Sequence, residues 1–213
     1  MAMHILSINA AKPRTFDTDD GEKFETAIFK EPVAGRVWAR DNAIDGDEPA
    51  DKEDHGGEFK AVYTYASEHY AFWKGELGRA DMPYGMFGEN LTTAGLDEDA
   101  VRLGDRFRMG EALLEAAQPR LPCETLGFRF RDQSIVKRFL QACRMGIYFK
   151  IVEEGRLAAG DEIRLEKKGK SSVSMAELMT LFAAKKADKK RLREILKLPE
   201  LTPEFRGHFE RRL

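Results

Sequence analysis

The chain has 213 residues, of which 42% are hydrophobic and 34% are charged, which is enough for one well-buried core and a small additional module. Its formal net charge of −2 at pH 7 argues against binding of nucleic acid or a membrane through the charge of the whole surface. No apolar run approaches the roughly 20 residues that span a bilayer, and the first residues do not resemble a secretory signal. With two cysteines, the sequence predicts reduced thiols and a cytoplasmic protein.

Seven segments before residue 167 have the alternating or β-branched pattern of strands. They are residues 4–9, 33–40, 59–65, 101–109, 112–117, 147–152 and 162–165. The fourth and fifth segments are joined by Gly110-Glu111, which predicts a tight hairpin. Helical periodicity appears in this part of the chain at residues 67–77 and in part of 130–143. Many short strands with few helices predict a mainly β fold, a barrel that carries helical insertions.

The composition changes at residues 167–172, which are polar and rich in lysine and serine, as is typical of a flexible linker. Three short amphipathic helices with N-cap-type residues are predicted after it. They cover residues 174–184, 188–198 and 202–212. Residues 171–213 carry a net charge of +4 and the rest of the chain −6. We predict a barrel domain over residues 1–168 and a three-helix domain over 171–213, which either caps the barrel or docks an acidic partner.

The segment with the most chemical content is Gln118-Pro-Arg-Leu-Pro-Cys123, which directly follows a predicted strand. Its two prolines restrict the backbone and place Cys123 rigidly at the strand end. Arg120 lies three residues earlier, and a nearby cation favours a thiolate. Because thiolates are ligands for polarizable metals, Cys123 is a candidate metal ligand, although an inert buried cysteine fits the same pattern. Cys143 lies on the apolar side of a predicted helix, which favours a packing role.

The segment His55-Gly56-Gly57, followed by Lys60, joins a loop to a strand and suits an anionic ligand. Paired glycines let the backbone approach a ligand closely, and His55 and Lys60 supply donors for a phosphate. An ordinary Gly-Gly loop fits the same residues. The sequence contains no Gly-x-Gly-x-x-Gly, P-loop or Gly-x-Ser-x-Gly motif, and its four histidines have no metal-ligand spacing.

Residues 87–93 combine a flexible glycine, a carboxylate, a carboxamide and two hydroxyl groups. Asn90 can both donate to and accept from a heterocycle or an oxo group, and Glu89 lies beside it. A turn held by side-chain-to-backbone hydrogen bonds fits the segment equally well.

These segments occur in one order along the chain and together resemble the MOSC family, in particular its YiiM-like branch. The ordered motifs are Asp45-Gly46-Asp47, His55-Gly56-Gly57-x-x-Lys60-Ala61-Val62-Tyr63, Glu68-His69-Tyr70, Phe87-Gly88-Glu89-Asn90-Leu91-Thr92, Gly104-Asp105, Gln118-Pro119-Arg120-x-Pro122-Cys123 and Gly160-Asp161. The resemblance covers residues 1–166, and residues 171–213 are similar to the C-terminal three-helix domain of that branch. It implies a MOSC-type β-barrel followed by this small helical domain.

The resemblance also implies a molybdenum–pterin cofactor, with Cys123 as the metal ligand. The implied cofactor-binding residues are His55, Gly56, Gly57, Lys60, Glu89, Asn90, Arg120 and Cys123. Catalytic roles would fall to Cys123, Asn90 and Arg120, in an oxidoreductase that reduces N-hydroxylated compounds, above all hydroxylaminopurine-type base analogues, to amines. Electrons would come from a separate flavin-containing reductase. At the level of the whole family, the resemblance also implies binding of pyridoxal phosphate.

Two other functions are compatible with the sequence. In the first, Cys123 carries a persulfide and delivers its sulfur to metal–sulfur or cofactor assembly, which requires a reactive thiol but no bound pterin. In the second, the basic residues 171–213 dock a partner protein and the barrel is a scaffold. Neither membrane binding nor direct nucleic-acid binding is expected.

Overall fold

The fold is given by a computed structural model that describes residues 2–18, 21–51 and 56–213. Its strands are β1 (Met3–Ala10), β2 (Arg14–Asp17), β3 (Lys23–Thr26), β4 (Glu31–Pro32), β5 (Val37–Arg40), β6 (Ala43–Ile44), β7 (Val62–Ala66), β8 (Leu91–Ala94), β9 (Arg106–Met109), β10 (Ala112–Pro119), β11 (Ile147–Glu153), β12 (Gly155–Leu157) and β13 (Glu162–Lys167). Its α-helices are α1 (Glu68–Leu77), α2 (Glu124–Phe130), α3 (Ser134–Ala142), α4 (Met175–Ala183), α5 (Lys189–Ile195) and α6 (Pro203–Glu210). A 3₁₀ helix covers Glu58–Lys60. No helix within these described ranges is long and apolar enough to cross a membrane.

A closed barrel forms the centre of the described structure. Its strands follow the order β13-β9-β10-β11-β7-β8-β1, and β1 pairs back onto β13, where Met3 lies opposite Ile163. The pair β7–β8 is parallel, with Thr64 opposite Leu91, and the other pairs are antiparallel. Closure leaves the barrel strands without unpaired edges. The predicted mainly β barrel with helical insertions is therefore confirmed.

Strand β7 is buried along its whole length, because side chains of α1 and α3 cover its outer surface. The indole nitrogen of Trp73, on α1, donates to the Tyr65 hydroxyl at 2.7 Å, and Phe139, on α3, stacks on Trp73 with ring centroids 5.4 Å apart. A strand that is buried on both faces is largely apolar or aromatic, as β7 is apart from Thr64, whose hydroxyl donates to the carbonyl of Ile147 at 3.2 Å.

The predicted hairpin between β9 and β10 is confirmed, and Gly110 explains its tightness. Its φ is +55°, which favours glycine, and a Cβ there would lie 2.7 Å from the carbonyl oxygen of Arg156. The strand before it is shorter than predicted, because Asp105 organises a turn. Its carboxylate accepts from the backbone N–H of Arg102 at 3.0 Å and from that of Gly169 at 2.7 Å.

The prediction of a flexible linker at residues 167–172 is wrong. Strand β13 extends to Lys167, and Gly169 lies so close to the barrel that a Cβ there would be 2.5 Å from the carbonyl oxygen of Leu103. Ser171 is buried as well. The lysine side chains of this segment are exposed, while its backbone at Gly169 packs against the barrel.

Helices α4, α5 and α6 form the predicted three-helix region and pack against the barrel. Ser174 and Asp188 cap α4 and α5 through their side chains, and Pro203 occupies the first turn of α6. Backbone hydrogen bonds join this region to the barrel. The N–H of Leu103 donates to the carbonyl of Val173 at 3.0 Å, and the N–H of Met175 donates to the carbonyl of Val101 at 2.9 Å. The helices are therefore a cap on the barrel.

Candidate functional site

A cavity of about 540 Å³ lies beside the end of β10 and the starts of β8 and β11. Its lining contains most of the polar groups singled out in the sequence. The polar side chains of this lining include Lys30, Asp47, Lys60, Asn90, Arg120 and Cys123. They come from segments far apart in the chain, which the closed barrel brings together.

Arg120 is the buried cation of this cavity. Its exposed fraction is 5%, and its guanidinium lies over the ring of Tyr63 at 5.7 Å and over that of Phe139 at 5.6 Å. Burial is the largest single influence and disfavours its charge, but Coulombic interactions with Tyr63, Cys123, Tyr148 and Tyr65 oppose it, and the pKa of Arg120 is raised above its usual value. Its Nη1 atom has no hydrogen-bond partner among the described residues. A buried charged donor in this condition can bind an acceptor, and an anion suits it best.

Cys123 stands on the same wall, directly before α2. Its backbone is extended, with φ −131° and ψ 175°, and its carbonyl accepts from the N–H of Leu126 at 3.0 Å. The side chain is half-buried and lines the cavity. A Coulombic interaction with Cys123 is one of those that raise the pKa of Arg120, and both side chains line the cavity.

Asn90 also lines the cavity, but the protein already engages its carboxamide. The Oδ1 atom accepts from the backbone N–H of Tyr63 at 3.0 Å, and Nδ2 donates to Asp47 Oδ2 at 2.8 Å. Asp47 in turn accepts from the N–H of Ala11 at 2.9 Å and pairs with Lys30. Burial lowers the pKa of Lys30, while the pair with Asp47 opposes that shift. This network fixes one wall of the cavity.

Lys60 is held from outside the barrel. Its Nζ atom lies 3.0 Å from Oε2 of Glu204, on α6, and the same oxygen accepts from Gln118 Nε2 at 2.7 Å. Gly56 lines the cavity as well, whereas Gly57, with φ +90°, begins the 3₁₀ turn that carries Lys60. His55 lies outside the described residues.

The aromatic floor of the cavity consists of Tyr63 and Tyr148, whose ring centroids are 5.1 Å apart. Burial raises the pKa of Tyr63 well above its usual value and that of Tyr148 to about 12. Both hydroxyls therefore stay protonated at neutral pH, and the Tyr63 hydroxyl donates to the carbonyl of Met145 at 2.8 Å. The floor is neutral beneath the charged Arg120.

Residues 51–164 match the family model described as "MOSC domain", and residues 173–213 match the one described as "YiiM-like, 3-alpha helix domain". The chain belongs to the MOSC domain family. The MOSC match contains Lys60, Asn90, Arg120 and Cys123, so these cavity residues all fall within the family's shared domain.

Relatives agree with this assignment. The chain is 41% identical over 171 residues to the uncharacterized protein YflK of Bacillus subtilis, a match that covers 80% of this chain and 76% of that protein. It is 31% identical to a protein named "Reductase" from Gibberella moniliformis, covering 84% of this chain but 32% of the longer fungal protein. The crystal structure of YiiM from Geobacillus stearothermophilus has 33% identity and a TM-score of 0.82, covering 99% of each chain. The YiiM-like branch is confirmed, whereas these descriptions do not mention pyridoxal phosphate and lend it no support.

Glu89 is not among the residues that line the cavity of this MOSC domain, and its predicted contact with a cofactor stays a prediction. Its side chain is fully buried, and it accepts from the backbone N–H groups of Gly85 at 2.9 Å and Phe87 at 3.1 Å. The hydroxyls of Tyr70 and Thr92 donate to it as well. Burial raises its pKa, although these hydrogen bonds oppose the shift. Glu89 thus holds the loop that positions Asn90, and the turn interpretation of residues 87–93 holds for it.

Replacing Glu89 by glutamine is expected to lower the free energy of unfolding by about 2 kcal/mol, because an amide NH₂ would face donors that now share a carboxylate. Urea unfolding measures this change. The matched control is Glu25→Gln, an exposed position on β3, where a change within about 0.5 kcal/mol is expected. An unchanged midpoint for Glu89→Gln would show that the loop does not depend on this carboxylate.

Cys143 has the same intermediate exposure as Cys123 but different surroundings. It does not line the cavity, its Sγ donates to the carbonyl of Leu140 at 3.5 Å, and burial raises the pKa of its thiol. Neither cysteine forms a disulfide. Its backbone φ of +51° shows that it ends α3 rather than lying within the helix. The structure supports the packing role.

Several cavity residues lie outside the predicted set. Lys30 and Tyr148 carry no motif of their own, and Asp47 was noted only as part of a family pattern. Glu204 lies 86 residues from Gln118, its hydrogen-bond partner. No local sequence signal connects such distant positions, and only the packing of α6 onto the barrel reveals them.

Proposed function

We propose that this protein binds a molybdenum–pterin cofactor in the cavity, with Cys123 as the thiolate ligand, and reduces N-hydroxylated substrates to amines. Membership in the MOSC family and the relative named a reductase support the oxidoreductase part. The substrate class and the metal follow from the family resemblance of the cavity motifs. The proposal includes an external flavin-containing reductase as the electron donor.

The observation that carries the proposal is that Cys123 lines the same cavity as a buried arginine whose Nη1 atom has no partner among the described residues. A thiolate is a suitable ligand for a polarizable metal, and an unsatisfied guanidinium suits the phosphate or dithiolene charge of a pterin cofactor. A volume of about 540 Å³ falls in the range of cofactor sites. The residues present therefore fit the group.

Each cavity residue then has a physical role. Cys123 donates its thiolate, Arg120 and Lys60 bind anionic groups, and Asn90 with Asp47 keeps the facing wall in place. The protonated tyrosine floor excludes a competing negative charge. A bound molybdenum–pterin cofactor supplies the two-electron chemistry that converts R–NHOH and two protons into R–NH₂ and water.

A persulfide carrier is the alternative that keeps Cys123 at the centre. A carrier must present its thiol to a donor protein and an acceptor, whereas Cys123 is half-buried in a cavity wall. The geometry favours a thiolate that meets a small ligand. Mass spectrometry after incubation with a cysteine desulfurase would detect a sulfur adduct on Cys123 if the carrier function were correct.

The proposal is tested on the full chain purified from a host that makes molybdenum cofactor and, in parallel, from a host that does not. We expect near-stoichiometric molybdenum in the first preparation, and conversion of a hydroxylaminopurine-type base to the amine with a chemical reductant as electron donor. The second preparation should contain no molybdenum and convert nothing. Absence of molybdenum from both, under conditions in which another molybdenum enzyme loads, would refute the proposal.

A further inference from the structure

The three-helix region contributes a carboxylate to the edge of the cavity. Glu204 is the second residue of α6 and makes two contacts with one oxygen, to Lys60 Nζ at 3.0 Å and to Gln118 Nε2 at 2.7 Å. Lys60 lines the cavity, and Gln118 is 2% exposed. The Glu204 carboxylate therefore joins α6 to Lys60 and to Gln118 at the end of β10.

The position of Glu204 is set by the packing of α6. Phe205, the next residue, is fully buried, and the guanidinium of Arg206 donates to the carbonyls of Leu196 at 2.6 Å and Leu198 at 2.8 Å. These contacts fix the start of α6 beside the cavity. The Glu204 carboxylate is the group that can exchange its contact with Lys60 for another partner. The pair is only partly exposed, with 19% of the Lys60 side chain and 38% of the Glu204 side chain accessible.

The negative charge of Glu204 also acts on the cavity floor. Burial is the largest cause of the raised pKa of Tyr148; the interaction with Arg120 opposes it, and smaller Coulombic interactions with Cys123 and Glu204 add to it. An anionic group that approached Lys60 and Arg120 would therefore meet a carboxylate already paired with Lys60. Because like charges repel one another, a bound anionic group and the Glu204 carboxylate would compete for the ammonium group of Lys60.

We propose that Glu204 is an intramolecular counter-anion that neutralises Lys60 until a phosphate-class group binds there and takes its place. Binding of such a group would release the contact between α6 and the cavity edge, so that the three-helix region senses whether the anion site is filled. This inference rests on the proposed function only for the identity of the natural anion. In the proposed function that anion is a group of the pterin cofactor.

The test is calorimetric titration of inorganic phosphate into the full chain prepared without molybdenum cofactor. Glu204→Gln is expected to bind phosphate about 5-fold more tightly than the unmodified protein at low salt, since it removes the competing charge. The difference should shrink as ionic strength rises. Glu210→Gln removes one negative charge from the exposed end of the same helix, and we expect its affinity to remain within about 2-fold of the unmodified protein.

Hydrogen exchange provides the second measurement. Phosphate should speed exchange of the Arg206 amide, which donates to the Thr202 carbonyl at 2.9 Å at the start of α6, in the unmodified protein but not in Glu204→Gln. Equal affinities, or weaker phosphate binding by Glu204→Gln, would overturn the inference, because the carboxylate would then position Lys60 rather than compete for it. Lack of phosphate binding by both proteins would overturn it too.

Failure of this inference is distinguishable from failure of the proposed function. If the phosphate effect is found but the protein never acquires molybdenum, the counter-anion stands and the cofactor assignment falls. If the natural anion is a group of the cofactor, protein loaded with molybdenum cofactor should no longer bind inorganic phosphate. If the natural ligand is free phosphate, the loaded protein should still bind it. A similar urea midpoint for Glu204→Gln confirms that the variant is folded.

Discussion

Replacing Cys123 by alanine is expected to abolish molybdenum retention and to lower the reductase activity by more than about 100-fold, since loss even of groups that merely support a ligand costs 10- to 100-fold. The side chain is half-buried at a cavity wall and is not needed to fill the core. The free energy of unfolding should therefore change by less than about 1 kcal/mol. Metal analysis, turnover with a chemical reductant and urea unfolding measure the three effects.

Cys143→Ala is the matched control, because it removes the other thiol of the chain outside the cavity. We expect molybdenum content and activity close to those of the unmodified protein. Equal losses in the two variants would show that neither thiol is the specific ligand. If Cys123→Ala kept its molybdenum but lost activity, the thiolate would act on the substrate and the assignment of a metal ligand would be wrong.

Sequence reasoning located the cavity wall that carries Arg120 and Cys123, because its signal is local. Two prolines around an arginine, placed after an apolar strand, restrict the backbone regardless of the rest of the fold. The same holds for Lys60 and Asn90, which lie next to strands whose apolar patterns predict burial. Residues at strand ends of a closed barrel share a rim, which explains why separate motifs meet in one cavity.

The remaining features depend on contacts that no local pattern encodes. Strands β2 and β3 are mostly exposed and escaped prediction, yet Phe24 packs against Phe128, on α2, at 4.8 Å between ring centroids. Glu89 looked like a ligand because a carboxylate beside an asparagine suits a cofactor, but burial and four donors assign it to the loop. Residues 167–172 have the composition of a linker, but the contacts of Gly169 with Leu103 and Asp105 and the burial of Ser171 show otherwise.

The cap formed by α4, α5 and α6 bears on whether residues 171–213 are a docking module or part of the core. Fully buried side chains from these helices include Met175, Leu192, Phe205 and Phe209. Backbone hydrogen bonds join Val173 and Met175 to the barrel. A docking module attached by a loose linker would unfold separately, whereas a cap that shares its core with the barrel unfolds with it.

Replacing Phe205 by alanine is therefore expected to lower the free energy of unfolding of the whole chain by about 3–5 kcal/mol, the cost of a large cavity in a packed core. Both tryptophans of the chain, Trp38 and Trp73, lie in the barrel region, and Trp73 is 1% exposed. Tryptophan fluorescence during urea unfolding thus reports the barrel, although the substitution is in the cap. Leu213→Ala, at an exposed position, should leave the midpoint unchanged. If Phe205→Ala left the tryptophan transition in place while far-UV circular dichroism lost helix at lower urea, the helices would be an independent module, and docking of an acidic partner through their +4 charge would become the better account.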